Sequence, residues 1–122
     1  ARFEDCKLLG LNFSECNKNL LSLEFESCQL NLSSFYKLKL KDIEFCNCNL
    51  QEVDFSEADL TRAFFENCDL NRAIFNNTNL EKSDFTSSYN YIIIPEANRI
   101  SKAKFSMPGV LGLLDKYDIT IV

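Results

Sequence analysis

Every fifth residue from position 25 to position 85 is phenylalanine or leucine, in strict alternation: Phe25, Leu30, Phe35, Leu40, Phe45, Leu50, Phe55, Leu60, Phe65, Leu70, Phe75, Leu80 and Phe85. A period of five matches neither the 3.6-residue repeat of an α-helix nor the two-residue repeat of a strand. It is typical of a solenoid, in which short units turn corners and stack on one another. The stretch therefore predicts an all-β solenoid.

The same columns recur at a spacing of twenty residues, which predicts four five-residue sides in each coil. Phe25, Phe45, Phe65, Phe85 and Phe105 form one such column. The first segment joins these columns if two extra residues lie between positions 16 and 22, where we expect a small loop. The repeats then cover residues 1–106 as about five coils, stacked at the spacing of β-strands, roughly 4.8 Å.

A second inward position lies two residues before each phenylalanine or leucine and is mostly small or medium in size. One large and one smaller side chain on each side of the coil would fill a square interior without voids. The other three positions of each unit are largely polar and are expected to face solvent. Large outward residues, namely Leu32, Tyr36, Phe64 and Ile74, are candidate contact points for a partner.

Most of the cysteines belong to the repeat. Cys6, Cys28, Cys48 and Cys68 share the small inward position of one column, so we expect them to be free, buried and structural. A column with this spacing cannot converge on one metal ion, and disulfide closure along it would be strained. Cys46 follows Phe45 and is predicted to point outward, where it is a candidate reactive thiol.

Composition excludes several classes of function. The net charge of −5 argues against direct binding of nucleic acid or an anionic membrane. The absence of histidine removes the commonest general base, and no nucleophile or nucleotide-binding motif is present, so we expect no enzyme activity, cofactor or metal. No apolar run has the length of a membrane span and no signal-like segment opens the sequence, so a cytoplasmic location is expected.

The last residues, 107–122, change in pattern and are predicted to cap the solenoid. Ser106, Met107 and Pro108 are expected to open a short helix, and residues 118–122 alternate like an edge strand. The apolar residues of this tail are not all covered by one coil end, and a two-fold partner would cover them. The predicted interface of a tail-to-tail homodimer consists of Val110, Leu111, Leu114, Ile119 and Ile121.

These repeats resemble the pentapeptide-repeat family, whose units follow the pattern A(D/N)LXX. Residues 58–62, ADLTR, match it at every position, and residues 68–72 and 78–82 match it closely. The resemblance implies a right-handed quadrilateral β-helix. The tail resembles the C-terminal module through which the quinolone-resistance members of this family dimerise.

The resemblance leaves two functions open. The first is a non-enzymatic, dimeric scaffold with an unidentified protein partner. The second is a DNA mimic that binds the DNA site of a type II topoisomerase and gives quinolone resistance. An acidic stripe would serve the mimic, and it comprises Glu24, Glu26, Glu44, Glu66 and Asp84. Lys37, Lys39, Lys41, Arg62 and Arg72 are expected to interrupt the acidic surface.

Overall fold

Four short parallel strands form one side of a continuous coil in the computed structural model, which describes residues 2–15 and 23–122. They are β1 (Arg2–Glu4), β2 (Glu24–Glu26), β3 (Glu44–Cys46) and β4 (Phe64–Glu66). They pair in the order β1-β2-β3-β4, and Phe3, Phe25, Phe45 and Phe65 lie in register. We call this the first side of the coil.

The second, third and fourth sides are held by single parallel bridges between residues twenty positions apart. Gln29 bridges Asn49 on the second side, Asp54 bridges Ile74 on the third, and Asp59 bridges Asn79 on the fourth. The predicted four-sided coil is therefore confirmed. The first coil is longer, because Phe3 pairs with Phe25, but the loop predicted at 16–22 lies outside the described residues.

Two columns of stacked phenylalanine rings fill the interior. Phe25, Phe45, Phe65 and Phe85 stack with ring centroids 5.4, 5.2 and 4.5 Å apart. Phe3 and Phe105 extend this column at its two ends. Phe13, Phe35, Phe55 and Phe75 form the second column, and the two columns meet edge to face. The predicted phenylalanine column is confirmed, and offset stacking and edge contacts are the preferred arrangements of aromatic rings.

Most corners of the coil have a residue with left-handed backbone conformation, two positions after the large inward residue. Leu32 (φ 63°), Lys37 (φ 61°) and Arg62 (φ 58°) are examples. Most corners are also closed by a turn hydrogen bond, such as Leu38 N–H to the Phe35 carbonyl at 3.1 Å. A 3₁₀ helix, Phe13–Glu15, occupies one side of the first coil. Left-handed backbone is costly for residues with a Cβ atom, so ladder pairing and core packing must stabilise each corner.

The last coil keeps its length but changes its inward residues. Asn79 bridges Arg99, so the twenty-residue spacing holds through the irregular stretch. Asn90 is exposed where a leucine would point inward, and Tyr91 is buried in its place, with its ring 5.3 Å from that of Phe85. A 3₁₀ helix, Pro95–Ala97, then forms part of the third side.

The tail differs from the predicted helix and edge strand. Two 3₁₀ helices, Gly109–Leu113 and Asp115–Tyr117, replace the single helix, and residues 118–122 form no strand. Two glycines in one short segment disfavour an α-helix. Asp118 adopts a left-handed conformation that turns the chain after the second 3₁₀ helix (φ 49°). An isolated strand without a neighbouring edge has no ladder to stabilise it.

Candidate interaction surfaces

The predicted acidic stripe lies on the first side of the coil but is not continuous. Glu24 and Glu44 are neighbours in register, and Glu44 is followed in the same column by Phe64 and then Asp84. Phe64 is only partly exposed. The structure therefore brings two of the five predicted acidic residues together in this column and separates the third from them by an aromatic ring.

The adjacent column contains the other two predicted acidic residues. Glu26 and Glu66 stand on either side of Cys46. Arg2 binds the Glu26 carboxylate and also the Glu4 carboxylate, the latter at 3.0 Å. Glu26 is thus partly neutralised, whereas Glu66 forms no ion pair within the described part of the chain.

Cys46 points outward as predicted, but its surroundings oppose reactivity. Partial burial, a contact with Glu66 and the charges of Glu66 and Glu44 raise the pKa of the Cys46 thiol to about 11. The thiolate is the nucleophilic form of cysteine. The raised pKa therefore argues against Cys46 as a reactive thiol, because burial and its acidic neighbours suppress its ionisation.

The inward cysteines donate hydrogen bonds to the backbone. Cys48 Sγ lies 3.3 Å from the Phe25 carbonyl oxygen one coil below, and Cys68 Sγ lies 3.3 Å from that of Phe45. Ser88 continues the same column and donates to the Phe65 carbonyl at 2.6 Å. The small inward position is thus a donor site as well as a packing position, which the sequence analysis missed.

The predicted burial of the inward cysteines is confirmed for three of the four. Cys28, Cys48 and Cys68 are buried and free, whereas Cys6 is free but only partly buried. Cys6 lies in the first coil, so among the described residues no coil covers it from below. Burial raises the pKa of Cys28, and contact with Cys48 together with burial raises that of Cys68.

The fourth side of the coil, with its outer corner, has a positive charge that the sequence analysis did not identify. In the described coils it contains six cations and the three carboxylates of Asp42, Asp59 and Glu81. We call this surface the basic face; its cations are Lys39, Lys41, Arg62, Lys82, Arg99 and Lys102. Lys39, Lys41 and Arg62 therefore lie on a separate side and do not interrupt the acidic columns. Sorting the charges by column would have found this face.

Ion pairs remove part of the basic face from contact with a partner. Arg62 binds Asp42 through two hydrogen bonds, of 2.7 and 3.0 Å, and Lys41 lies 3.8 Å from Asp59. The remaining cations of the face form no ion pair within 4.0 Å among residues 2–15 and 23–122; they are Lys39, Lys82, Arg99 and Lys102. All four side chains are exposed.

The first 3₁₀ helix of the tail has an inward and an outward face. Leu113 is buried and Val110 is partly buried against the core, whereas Leu111 and Leu114 are 46% and 37% exposed. A 3₁₀ helix repeats every three residues, so 110 and 113 share one face and 111 and 114 share another. Of the five predicted interface residues, Val110 thus lies on the inward face.

Further apolar side chains extend the exposed surface of the tail. Ile119 and Ile121 are 57% and 54% exposed, and Ile92 and Ile94 of the last coil are 48% and 38% exposed. We call the outward residues of the tail, Leu111, Leu114, Ile119 and Ile121, the tail surface. The tail therefore covers the end of the rod with one face and presents a second apolar face to solvent.

Close backbone contacts fix the tail on the last coil. The Ile93 N–H donates to the Gly112 carbonyl at 3.2 Å. A Cβ atom at Gly112 would lie 2.0 Å from the Tyr91 carbonyl oxygen, and one at Gly109 would lie 1.8 Å from the Tyr91 hydroxyl. The two glycines are therefore required by the close approach of the tail to the coil, at a point where a side chain would not fit.

Glu96 holds the second 3₁₀ helix of the tail. Its carboxylate accepts a hydrogen bond from the Tyr117 hydroxyl at 2.7 Å and lies 2.9 Å from Lys116 Nζ. The contacts with Lys116 and Tyr117 lower the pKa of Glu96 to about 2. This ion pair is solvent-exposed and therefore orients the tail more than it stabilises the fold.

An open groove of about 480 Å³ follows the corner between the third and fourth sides. Its carboxylates belong to Glu57, Asp59 and Glu96, and each already accepts a hydrogen bond from a neighbouring residue. No cluster of potential metal ligands occurs among the described residues. No helix in the described part of the chain is long and apolar enough to cross a membrane.

Two family models match the repeats. The model described as pentapeptide repeats matches residues 48–86 in eight copies, and the model described as a pentapeptide repeat region matches residues 1–55. The chain belongs to the pentapeptide-repeat family. The right-handed quadrilateral β-helix implied by the sequence is the fold of this pentapeptide-repeat protein. Comparison with curated protein sequences gives no match.

Solved pentapeptide-repeat structures are similar in fold at low sequence identity. HetL from the cyanobacterium Nostoc sp. strain PCC 7120, described as involved in heterocyst differentiation regulation, is 15% identical with a TM-score of 0.59; 85% of this chain aligns with 46% of HetL. This chain thus spans less than half the length of HetL. Rfr23 from the cyanobacterium Cyanothece 51142 is 19% identical with a TM-score of 0.42, and the alignment covers 87% of this chain and 88% of Rfr23. A trypsin-treated form of QnrB1, a plasmid-mediated fluoroquinolone resistance protein, is 15% identical with a TM-score of 0.46, over 99% of this chain and 89% of QnrB1.

Proposed function

We propose that this pentapeptide-repeat protein is a non-enzymatic scaffold that self-associates through its tail and binds other proteins along its sides. The observation that carries the proposal is the tail surface, whose residues Leu111, Leu114, Ile119 and Ile121 are each exposed in the segment that ends the rod. Exposed apolar patches on soluble domains commonly mark interaction sites. The stacked core gives the rod the stiffness that a scaffold requires.

A two-fold partner is the simplest cover for the tail surface. The same patch on two chains would be self-complementary, because an isologous interface pairs each residue with its counterpart across the axis. Val110 would support the interface from beneath, since its side chain packs against the core. The dimer would then be a rod about twice as long as one chain, with both sets of sides open to partners.

The test of self-association is light scattering at micromolar protein concentration. The intact chain should have the mass of a dimer, and the double variant Leu111→Asp with Leu114→Asp should have that of a monomer, because two carboxylates would be buried without partners. Leu9→Asp with Leu32→Asp is the matched control, since both leucines are exposed elsewhere, by 54% and 62%. A monomeric intact chain would refute the dimer, and a dimer in the tail variant would place the interface elsewhere.

DNA mimicry toward a type II topoisomerase is the second candidate function. It is favoured by Glu24 and Glu44, which are exposed neighbours on the first side and form no ion pair in the described part of the chain. The charge density opposes it. Five net negative charges over five coils of about 4.8 Å give one charge per roughly 5 Å, against one per about 1.7 Å in duplex DNA.

A gyrase supercoiling assay separates the two functions. Under the scaffold proposal, the protein leaves both supercoiling and its inhibition by a quinolone unchanged. If the protein is a DNA mimic, it should restore supercoiling in the presence of the quinolone. The variant Glu24→Lys with Glu44→Lys should lose this effect, and the variant Glu52→Lys with Glu57→Lys should keep it. That set of results would refute the scaffold proposal in favour of the mimic. The control changes the same amount of charge on other sides of the coil.

A further inference from the structure

The basic face has more free positive charge than any other side of the rod. In the described part of the chain, this face has four cations without an ion pair, namely Lys39, Lys82, Arg99 and Lys102. It has one carboxylate without an ion pair, that of Glu81. Three of the four cations cluster toward the C-terminal end of the rod. A protein with a net charge of −5 thus has a local surface of opposite sign.

The coil geometry holds these three cations close together. Lys82 N–H donates to the Ser101 carbonyl at 3.0 Å, so the corners that contain Lys82 and Lys102 stack directly on each other. Arg99 lies in ladder pairing with Asn79 on the same side, three residues before Lys102. Neighbouring coils are about 4.8 Å apart. The Lys82, Arg99 and Lys102 side chains therefore project from one small region of the surface, where the ladder holds the backbone rigid.

We propose that the basic face is the docking site for an acidic polypeptide segment of a partner protein, with Lys82, Arg99 and Lys102 as its principal contacts. This inference deepens the scaffold proposal and rests on it. Charge complementarity of this kind raises the association rate and selects against partners of the wrong sign. Because the ladder holds the backbone beneath these cations, only their side chains need to be ordered when carboxylates bind.

The surroundings of the basic face favour a polypeptide over a nucleic acid. Glu24 and Glu44 lie in one column of the adjacent first side, and Asp84 continues that column beside Lys104, nearer the level of the patch. Charges within about 8–10 Å act on each other at physiological salt, so a polyphosphate chain long enough to extend along the rod from the patch would come within range of Glu44 and Glu24. A segment with two or three carboxylates is small enough to contact the basic face alone.

The experiment is a fluorescence anisotropy titration with a fluorescein-labelled tri-L-glutamate peptide at about 20 mM salt. The protein should bind it, and the triple variant Lys82→Glu, Arg99→Glu, Lys102→Glu should bind at least tenfold more weakly. The matched control is Lys7→Glu, Lys37→Glu, Arg72→Glu, which changes the total charge equally on the second and third sides. Its affinity should stay within threefold of that of the unchanged protein.

Each other outcome overturns the inference. Absence of tri-L-glutamate binding would refute it, and equal losses in the two triple variants would mean that only the overall charge acts. A third outcome is that a 20-nucleotide single-stranded DNA binds as tightly as the peptide or more tightly, and loses its affinity in the same triple variant. That result would show that the basic face binds polyphosphates. The tail variant Leu111→Asp with Leu114→Asp separates this inference from self-association, because a monomer should still bind the peptide.

Discussion

Replacement of Phe65 by alanine should strongly destabilise the rod. The Phe65 side chain is fully buried, and its ring stacks on Phe45 at 5.2 Å and on Phe85 at 4.5 Å and meets the edge of Phe55 at 5.9 Å. Loss of the buried ring removes about 2–3 kcal/mol of transfer free energy, and the two stacked contacts add about 0.5–1.5 kcal/mol each. These contributions come to about 3–6 kcal/mol. Because the rigid ladder keeps the cavity open, we expect a loss in the upper part of the range of about 3–5 kcal/mol usual for a buried Phe→Ala change.

The assay is urea unfolding followed by circular dichroism, with Phe64→Ala as the matched control. Phe64 is the neighbouring residue in the same strand, but it points outward and is only partly buried. Its removal should therefore lower the free energy of unfolding by less than half as much as the removal of Phe65. A Phe65→Ala cost below about 1 kcal/mol, or a cost equal to that of Phe64→Ala, would refute the argument that the columns hold the fold.

Four further predictions follow from individual contacts. Cys46 should react with a thiol reagent more slowly in the native protein than in urea at pH 8, because its pKa is raised to about 11; equal rates would contradict this. Cys68→Ser should be about 1 kcal/mol more stable than Cys68→Ala in urea unfolding, since only serine keeps a hydrogen-bond donor for the backbone carbonyl. Equal stabilities would show that this hydrogen bond does not stabilise the fold. Gly112→Ala should abolish hydrogen-exchange protection of the amide that donates to its carbonyl, because the new Cβ atom would lie 2.0 Å from a backbone oxygen. Gly10→Ala, with no atom within 4 Å of its Cβ position, should leave that amide protected, and protection in both variants would contradict the close packing. Docking of the tail should weaken as the pH falls from 4.5 toward 2, because the folded-state pKa of Glu96 is about 2 against an ordinary 4.5. The variant Glu96→Gln should remove this pH dependence. If the variant keeps the same pH dependence of tail docking, another group is responsible for it.

The repeating coils could be predicted from the sequence because the interior uses the same two positions of every unit. Ala58 and Leu60 are buried and lie directly below Thr78 and Leu80, which are buried too. Any departure from the five-residue period would move a polar residue into this interior, so packing enforces the pattern that the sequence shows. Fold and register therefore followed from residue types alone.

The tail and the last coil could not be predicted in this way, because single contacts decide them. Tyr91 enters the core in place of Asn90, and no period predicts that one-residue shift. The position of the tail depends on the fit of Gly112 against the Tyr91 backbone. Short helices derive their geometry from such tertiary contacts more than from propensity, so the expected helix and strand were replaced by two 3₁₀ helices.

The charged sides show why this fold makes function harder to predict than structure. Three of the five positions in each unit face outward, and the core places no demand on them. Glu44 and Lys39 are five residues apart, yet they belong to sides of opposite charge, because one corner of the coil lies between them. The net charge of −5 sums the charges of all sides, whereas a partner contacts only one side at a time. The column that a residue occupies therefore decides which partner its charge can attract.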